Sequence, residues 1–375
     1  MISWNVPSLE HPPKPKIPQL MVWLFIMFII GICGFGLGIY LSENGMIPPN
    51  MGNSGFILVF VVAPILLTFA IRLLVYSLAS YRHQLFTNML DDAKQEWRYW
   101  ADKHLGVLAH SRLTQIDEEN NGKLNLSSLT PNKENKLTLN TLKSLPEWDK
   151  PEIMIQTLLL PIAEYYQQYG LTQPITLYWQ AEKGDTDWLT LIQYETARLS
   201  LDLESVEALP YESLSEWLLA LYDKPFEPKL YAILAFQLNS LKGSEEVSSL
   251  LLAPQGIYER LRTPVKAKLL RPISTDANTF SDALKTQCEF QCSGQRLDGI
   301  WQSGITDNNK GTCITSYTVQ NVAYLSEHLY DTDMFLGKGS IARHAVALSL
   351  ACEYPHHNLV VYQDKERYLL QQVRV

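Results

Sequence analysis

Residues 336–354 read LGKGSIARHAVALSLACEY, residues 358–364 NLVVYQD and residues 367–375 RYLLQQVRV. Two glycines around a lysine open an alanine-rich run with helical spacing, and two short apolar runs follow across a polar turn. The order is glycine loop, helix, strand, turn, strand. Upstream, Leu230–Leu238 (LYAILAFQL) is nearly continuously apolar and Ser249–Ala253 (SLLLA) repeats the pattern. Strands without an alternating polar face belong in a sheet covered on both sides.

The alternation extends further back. Ile175–Ala181 (ITLYWQA) reads as a strand closed by the turn signal Lys183-Gly184-Asp185, and Asn321–Ser326 as a further strand. Helices are expected over Pro151–Gly170, with proline at its first position and an interruption at Pro161, over Trp188–Leu201 and over Ser213–Tyr222. Residues 137–375 therefore form an α/β layered domain.

The N-terminal part is of another kind. Leu20–Leu41 is 22 residues without a charge, enough at 1.5 Å per residue for a bilayer core of roughly 30 Å. It exceeds the apolar region of a cleaved signal peptide, the competing reading, and Pro48-Pro49 follows instead of a small-residue cleavage site. A second span covers 55–79, with a kink expected at Pro64 and Arg72 able to snorkel to the interface. Residues 20–79 thus read as a transmembrane hairpin. Lys14 and Lys16 precede it, 42–54 carries no Lys or Arg, and Arg82, Lys94, Arg98 and Lys103 follow. The positive-inside rule then places both termini in the cytoplasm of a bacterial inner-membrane protein, with 1–19 as a cytoplasmic tail. Gly34 and Gly38 form a GxxxG, suited to close packing inside the hairpin or to a homodimer contact.

Residues 80–116 read as a juxtamembrane amphipathic helix and connector: Phe86, Leu90, Ala93, Trp97, Trp100, Ala101, Leu105 and Leu108 recur at spacings of three and four. That helix either docks on the cytosolic domain, as Asp91 and Asp92 favour, or lies on the membrane with Trp97 and Trp100 at headgroup depth. Residues 117–136 are a polar, Asn-rich linker.

The chain has 375 residues, 31 basic and 39 acidic, a net charge of -8, and a mean hydropathy near zero. The mean hides an apolar hairpin and a mildly acidic remainder. An acidic chain offers no general attraction to a phosphate backbone, so nucleic acid is not an expected partner. Five cysteines in this length argue against a disulfide framework and fit a reducing compartment.

LYAILAFQLNSLKGSEEVSSLLLAP (Leu230–Pro254) and FLGKGSIARHAVALSLACEYPHHNLVVYQDKERYLLQQV (Phe335–Val373) resemble elements of thiolase-like, ketoacyl-synthase-like proteins. The resemblance implies that fold for 137–375. It also implies a nucleophilic cysteine at the tip of a helix in the first half, activated by histidines and facing an oxyanion hole. No cysteine lies between 80 and 287, and the family's His-Gly-Thr-type motif is missing. No catalytic residue is carried over. Degenerate thiolase-like domains behind membrane helices resemble accessory proteins of type VI secretion.

Other chemistry has thin support. Cys288, Cys292, Cys352 and His356 would supply zinc-type ligands, although buried or surface thiols explain them as simply. Cys313 with His344, His356 or His357 is the best nucleophile and base combination. The loop Gly337-Lys338-Gly339-Ser340 would bind an anion, or serve as a tight strand-to-helix turn. Glu245-Glu246 and Asp331 with Asp333 read as solvated acidic faces. Trp148, Trp179, Trp188, Trp217 and Trp301 read as core, exposed ones suiting a protein interface.

No catalytic, cofactor or metal site is expected. The membrane hairpin, the missing nucleophile and the resemblance imply a non-catalytic inner-membrane accessory protein that binds a protein partner, an adaptor or effector-handling factor of type VI secretion whose partner is an effector or spike component. The alternatives are a membrane-tethered, acyl-chain-processing enzyme with a cysteine nucleophile, an immunity protein, and a small-molecule sensor.

Overall fold

The computed structural model describes residues 2–7, 12–17, 19–47, 52–119, 131–132, 136–146, 148–182, 186–238, 243–292, 297–320, 322 and 328–375. They divide into two compact units: Pro7–Glu96, and Trp97–Val375 together with Met1–Val6.

The first unit holds two helices long and apolar enough to cross a membrane, Leu20–Glu43 and the part of Asn53–Ala101 that lies within it. The second helix runs through Pro64. A widened turn at Leu58–Val62 lies just before the proline where a kink is expected, and the helix continues beyond it. Gly34 and Gly38 bring the helices together. A Cβ on Gly34 would collide with the Phe60 carbonyl and one on Gly38 with the Phe56 ring, whereas Gly36 faces open space. The GxxxG thus serves packing within the hairpin.

The larger unit is built on a mixed sheet of eleven described strands: β1 His104–Leu113, β2 Ile175–Ala181, β3 Leu203–Ala208, β4 Leu230–Gln237, β5 Glu246–Pro254, β6 Ala267–Leu270, β7 Ile273–Asp276, β8 Gly299–Ser303, β9 Leu329–Asp331, β10 His357–Asp364 and β11 Arg367–Arg374. Their order is β3-β2-β4-β5-β1-β6-β11-β10-β8-β9, with β7 also on β11. This order contains a repeat. In the first half, β3, β2 and β4 are parallel, β4 turns back into β5, and β1 closes antiparallel on β5. In the second, β9, β8 and β10 are parallel, β10 turns back into β11, and β6 closes antiparallel on β11. Antiparallel β1 and β6 join the halves.

The helices repeat with the strands. Lys150–Gln168, Trp188–Arg198 and Leu214–Tyr222 precede β2, β3 and β4, as Phe280–Gln287, Asp307–Val319 and Arg343–Glu353 precede β8, β9 and β10. Leu214–Tyr222 and Arg343–Glu353 share one core cluster with the sheet, and Lys150–Gln168 with Trp188–Arg198 covers the opposite face of the first half. On β4, Tyr231, Ile233 and Ala235 point to the first cluster and Leu230, Ala232, Leu234 and Phe236 to the second. Two covered faces explain the unbroken apolar run of this strand. Arg343–Glu353 buries every residue except Glu353, which is why its sequence lacks a polar face.

Several expectations are corrected. The helix over 80–116 ends at Ala101, and His104–Leu113 is a fully integrated strand, with Leu105 and Leu108 in the core through sheet alternation. Trp97 and Trp100 pack on the larger unit, Trp100 edge-on to Trp4 and under Arg271 at 3.9 Å, and Trp97 against Phe290. Pro161 lies inside an unbroken Lys150–Gln168 helix. The start of the polar 117–136 segment is ordered, because Asp117 is buried against Arg112 at 3.0 Å. The rest of that segment, apart from residues 131, 132 and 136, lies outside the described residues, as do the Lys183-Gly184-Asp185 turn and all of Asn321–Ser326 except Val322.

Candidate functional site

In a parallel sheet the loops that leave the carboxyl ends of the strands create crevices. Both halves have such ends on the same side of the central helices, and three cavities open there. The first, about 760 Å³, lies at the ends of β2, β3 and β4, between Trp179, Gln180, Trp188, Tyr211, Glu212 and Gln237. The second, about 760 Å³, lies at the ends of β8, β9 and β10, between Gly304, Thr306, Asp333, Lys338, Tyr362 and Asp364. The third, about 530 Å³, includes Ser215, Ser274, Asp364, Lys365 and Arg367. Gly339 and Ser340 line both the first and the second, and Asp364 and Lys365 both the second and the third, so the cavities form one cleft.

The glycine loop divides this cleft. Gly337, at φ +70°, ends the short Thr332–Leu336 helix, so the loop joins two helices instead of making a direct strand-to-helix turn. Arg343, fully buried behind it, fixes its path. Nε donates to both Glu246 oxygens at 2.9–3.0 Å, Nη1 to Asp333 at 2.6 Å and to the Gly337 carbonyl at 3.1 Å, and Nη2 to the Leu336 carbonyl at 3.2 Å. The Ser340 hydroxyl also donates to Glu246. Burial pushes the Glu246 and Asp333 carboxyls above their ordinary values, and Arg343 pulls both back. Two carboxylates directly behind the loop offset the guanidinium, which weakens the loop as an anion cradle.

Glu246 and Asp333 are therefore not solvated faces. A charge-assisted fork compensates their burial. Glu245 is likewise buried and accepts from the Leu139 N–H at 2.9 Å, while Asp331 pairs with Lys310 at 2.9 Å.

The thiols lie away from the cleft lining. Cys313 is buried on its helix and Cys352 at the far end of Arg343–Glu353, and burial pushes both up to about 12, where they are inert as nucleophiles. Cys288 and Cys292 are neighbours in one wide helical turn with Gln372 donating to the Cys292 Sγ at 3.0 Å. Among the described residues no three potential metal ligands cluster, so Cys352 and His356 do not complete a site with them. His356 and His357 stand at the amino end of β10, opposite the cleft. His344 is fully buried, stacks on Tyr362 at 4.6 Å and is pushed down to about 3 by burial, so it is a neutral ring at ordinary pH.

The first-half helix tips hold no cysteine. The tip of Leu214–Tyr222 instead carries Ser213, its N-cap, and Ser215, whose hydroxyls lie 2.8 Å apart and whose Ser215 Oγ donates to Asp364 at 2.9 Å. A hydroxyl bonded to a carboxylate, with no imidazole in contact among the described residues, is held in place without being activated. Trp188, Trp217 and Trp301 are core, Trp179 half-lines the first cavity, and Trp148 is exposed. Sequence reasoning missed Gln180, Ser213, Ser215, Arg343 and Asp364. Gln237 and Asp364 carried one signal: each ends an apolar strand on a polar residue.

No family model matches the sequence, and no curated protein matches it. Solved structures do match. An acyl-carrier protein in complex with its ketosynthase, from a type II polyketide system, gives a TM-score of 0.50 at 10% identity over 73% of this chain and 99% of that one. An oxazolomycin ketosynthase domain from Streptomyces albus gives 0.49 at 10% identity, over 72% and 95% of the two chains. OleA from Xanthomonas campestris, bound with cerulenin, gives 0.48 at 6%, over 74% and 99%. At such identities the likeness is one of architecture, and the larger unit has a thiolase-like fold.

Proposed function

We propose that this chain is a membrane-tethered, thiolase-like binding module that does not perform thiol-dependent acyl transfer. The observation that carries the reading is the cleft at the strand ends. It has the volume and convergent polar groups of a ligand site, but its described lining contains neither cysteine nor histidine. A fold keeps its core when the chemistry on its loops is lost, because different residues carry the two.

Tethering rests on the two apolar helices, and the basic residues that flank them favour a cytosolic position for the larger unit. The partner we infer is a polypeptide, and a secretion effector or spike component would fit an accessory role at a bacterial inner membrane. The experiment is an intact-mass measurement on the full chain in detergent after incubation with octanoyl-CoA and with an octanoyl-loaded acyl-carrier protein. The expected result is unmodified protein. An octanoyl adduct on any cleft residue or cysteine overturns the reading in favour of an acyl-processing enzyme.

A further inference from the structure

Cys288 and Cys292 stand apart from the cleft and from the other thiols. They are the first and last residues of the wide turn that follows the Phe280–Gln287 helix. An α-helix keeps Cβ atoms four residues apart at about 5–6 Å and rotated by about 40°, beyond the roughly 3.5–4.5 Å of a disulfide. A wider turn removes that offset and brings positions i and i+4 into line. The two thiols accordingly interact directly, with Cys288 donating to Cys292.

The surroundings make the two sulfurs unequal. Cys292 is 5% exposed, whereas Cys288 is partly exposed. Gln372 of β11, itself buried, donates its amide Nε2 to the Cys292 Sγ at 3.0 Å. A buried amide donor gains little from a neutral thiol and much more from a thiolate. The Cys288 thiol, Gln372 and the charge of Arg374 pull Cys292 below its ordinary value against its burial, and the same thiol contact together with burial pushes Cys288 up. One sulfur is thus a nucleophile and its neighbour holds a proton, the division of labour between a reacting and a resolving cysteine.

We propose that Cys288 and Cys292 form a reversible oxidation site for hydrogen peroxide, closing to a disulfide that changes the hold on residues 97–102. Peroxide is close to water in size and reaches a nearly buried sulfur that a bulky oxidant does not. Cys292, its proton lost to solvent, attacks one peroxide oxygen; the O–O bond breaks, Cys292 becomes a sulfenic acid, and the hydroxide released takes the Cys288 proton and leaves as water. The Cys288 sulfur then displaces the sulfenic oxygen, which leaves as a second hydroxide and recovers a proton from solvent. Two thiols lose two electrons in all, and peroxide is reduced to two waters. The residues between the sulfurs carry the hold: Gln291 donates to the Ala101 and Arg271 carbonyls at 2.8 Å each, and Phe290 packs on Trp97 at 6.5 Å. Arg374 donates to the Gln291 carbonyl and, at 2.7 Å, to Asp102. The site is independent of the cleft and of what binds there.

The test treats the reduced full chain in detergent with a small excess of hydrogen peroxide, blocks free thiols with N-ethylmaleimide and maps the tryptic peptide of residues 286–296, which carries both cysteines. That peptide should lose two hydrogens at least about a hundredfold faster than Cys313 or Cys352 is modified, and dithiothreitol should restore it. Cys288→Ser should stop at a sulfenic acid on Cys292 that dimedone traps, and Gln372→Leu should slow the reaction by about five-fold. Circular dichroism and melting temperature establish that the variants are folded. Hydrogen exchange of residues 97–102 should differ by at least about two-fold between the reduced and oxidised parent. The proposal is overturned by a peptide that keeps both thiols or passes directly to sulfinic acid, by equally fast oxidation of Cys313 and Cys352, or by a sulfenic acid that forms on Cys288 in Cys292→Ser at the parent rate. A folded Gln372 variant that reacts like the parent, or unchanged exchange of residues 97–102, overturns it as well.

Discussion

Arg343 is the residue whose removal should cost the larger unit most for its size. Its guanidinium is 0% exposed and ties Glu246, itself 1% exposed, to Asp333 and to two carbonyls of the loop in front of it. Arg343→Met fills much of the volume but leaves Glu246 buried, and Asp333 half-buried, without that cation. Breaking a buried pair by deleting one partner costs about 3–5 kcal/mol. For a domain of this size that corresponds to a fall of roughly 10 °C in Tm. The pH dependence fixes the cause. Glu246 already titrates above its ordinary value because burial outweighs the pull of Arg343, and without Arg343 it must rise further. A carboxyl raised in the folded state contributes stability at low pH that is lost as pH rises through the folded value. The deficit of the variant should therefore be largest near pH 8 and smaller by at least about 1 kcal/mol near pH 5. Urea denaturation of the full chain in detergent, followed by tryptophan fluorescence at both pH values, measures this. A deficit below about 1 kcal/mol at pH 8, or one that grows on acidification, refutes the account of the cluster as a compensated buried network.

Other consequences follow from the same physics. His344, pushed down to about 3 by burial, stays neutral in the fold while the unfolded chain takes up a proton below about 6.5, so this group costs stability as pH falls. His344→Phe, which keeps the stack on Tyr362, should gain about 2 kcal/mol relative to the parent between pH 7 and pH 5 in urea titrations; parallel pH curves would contradict it. Cys313 and Cys352 should react with iodoacetamide in the folded protein about a thousandfold more slowly than in urea, read by peptide mass spectrometry, and equal rates would show that burial does not protect them. Gly34→Leu should separate the two apolar helices, measured by electron-spin distances between labels on each, whereas Gly36→Leu should leave the distance unchanged.

The second-half hairpin, the buried β4 and the two apolar helices were legible because each carries a pattern of its own: a continuous apolar run, or more than twenty uncharged residues. β1 was not. In His104–Leu113 the residues Leu105, Val107 and Leu108 follow directly on a helical series, and a spacing of three from Leu105 to Leu108 satisfies a helix as well as a strand covered on both faces. β6 to β8 are only four or five residues long, too short for any period to register. The acidic cluster was misread for a related reason. Nothing local to Glu246 or Asp333 announces Arg343, which lies 97 and 10 residues away and meets them only through the fold.

The repeat in the sheet explains why the cleft can change character while the fold persists. Each half places its third helix in the shared core and its parallel strands' carboxyl ends at the cleft, so the architecture is held by residues such as Leu218, Val346 and Ala347, which never face a ligand. The loops at those ends are free of this duty, and the two halves differ there: the first presents Trp179, Trp188, Glu182 and Glu212, the second Lys338, Asp364 and Lys365. Among the described residues, only the loop held by Arg343 belongs to both cavities. The position of Gly339 and Ser340 depends on Glu246 of β5 in the first half and Asp333 in the second. That buried charge cluster links the halves, beside the β1–β6 pair and the shared core. Ser340→Ala, which removes one hydrogen bond to Glu246 and leaves the Arg343 fork intact, is the mildest perturbation of that path.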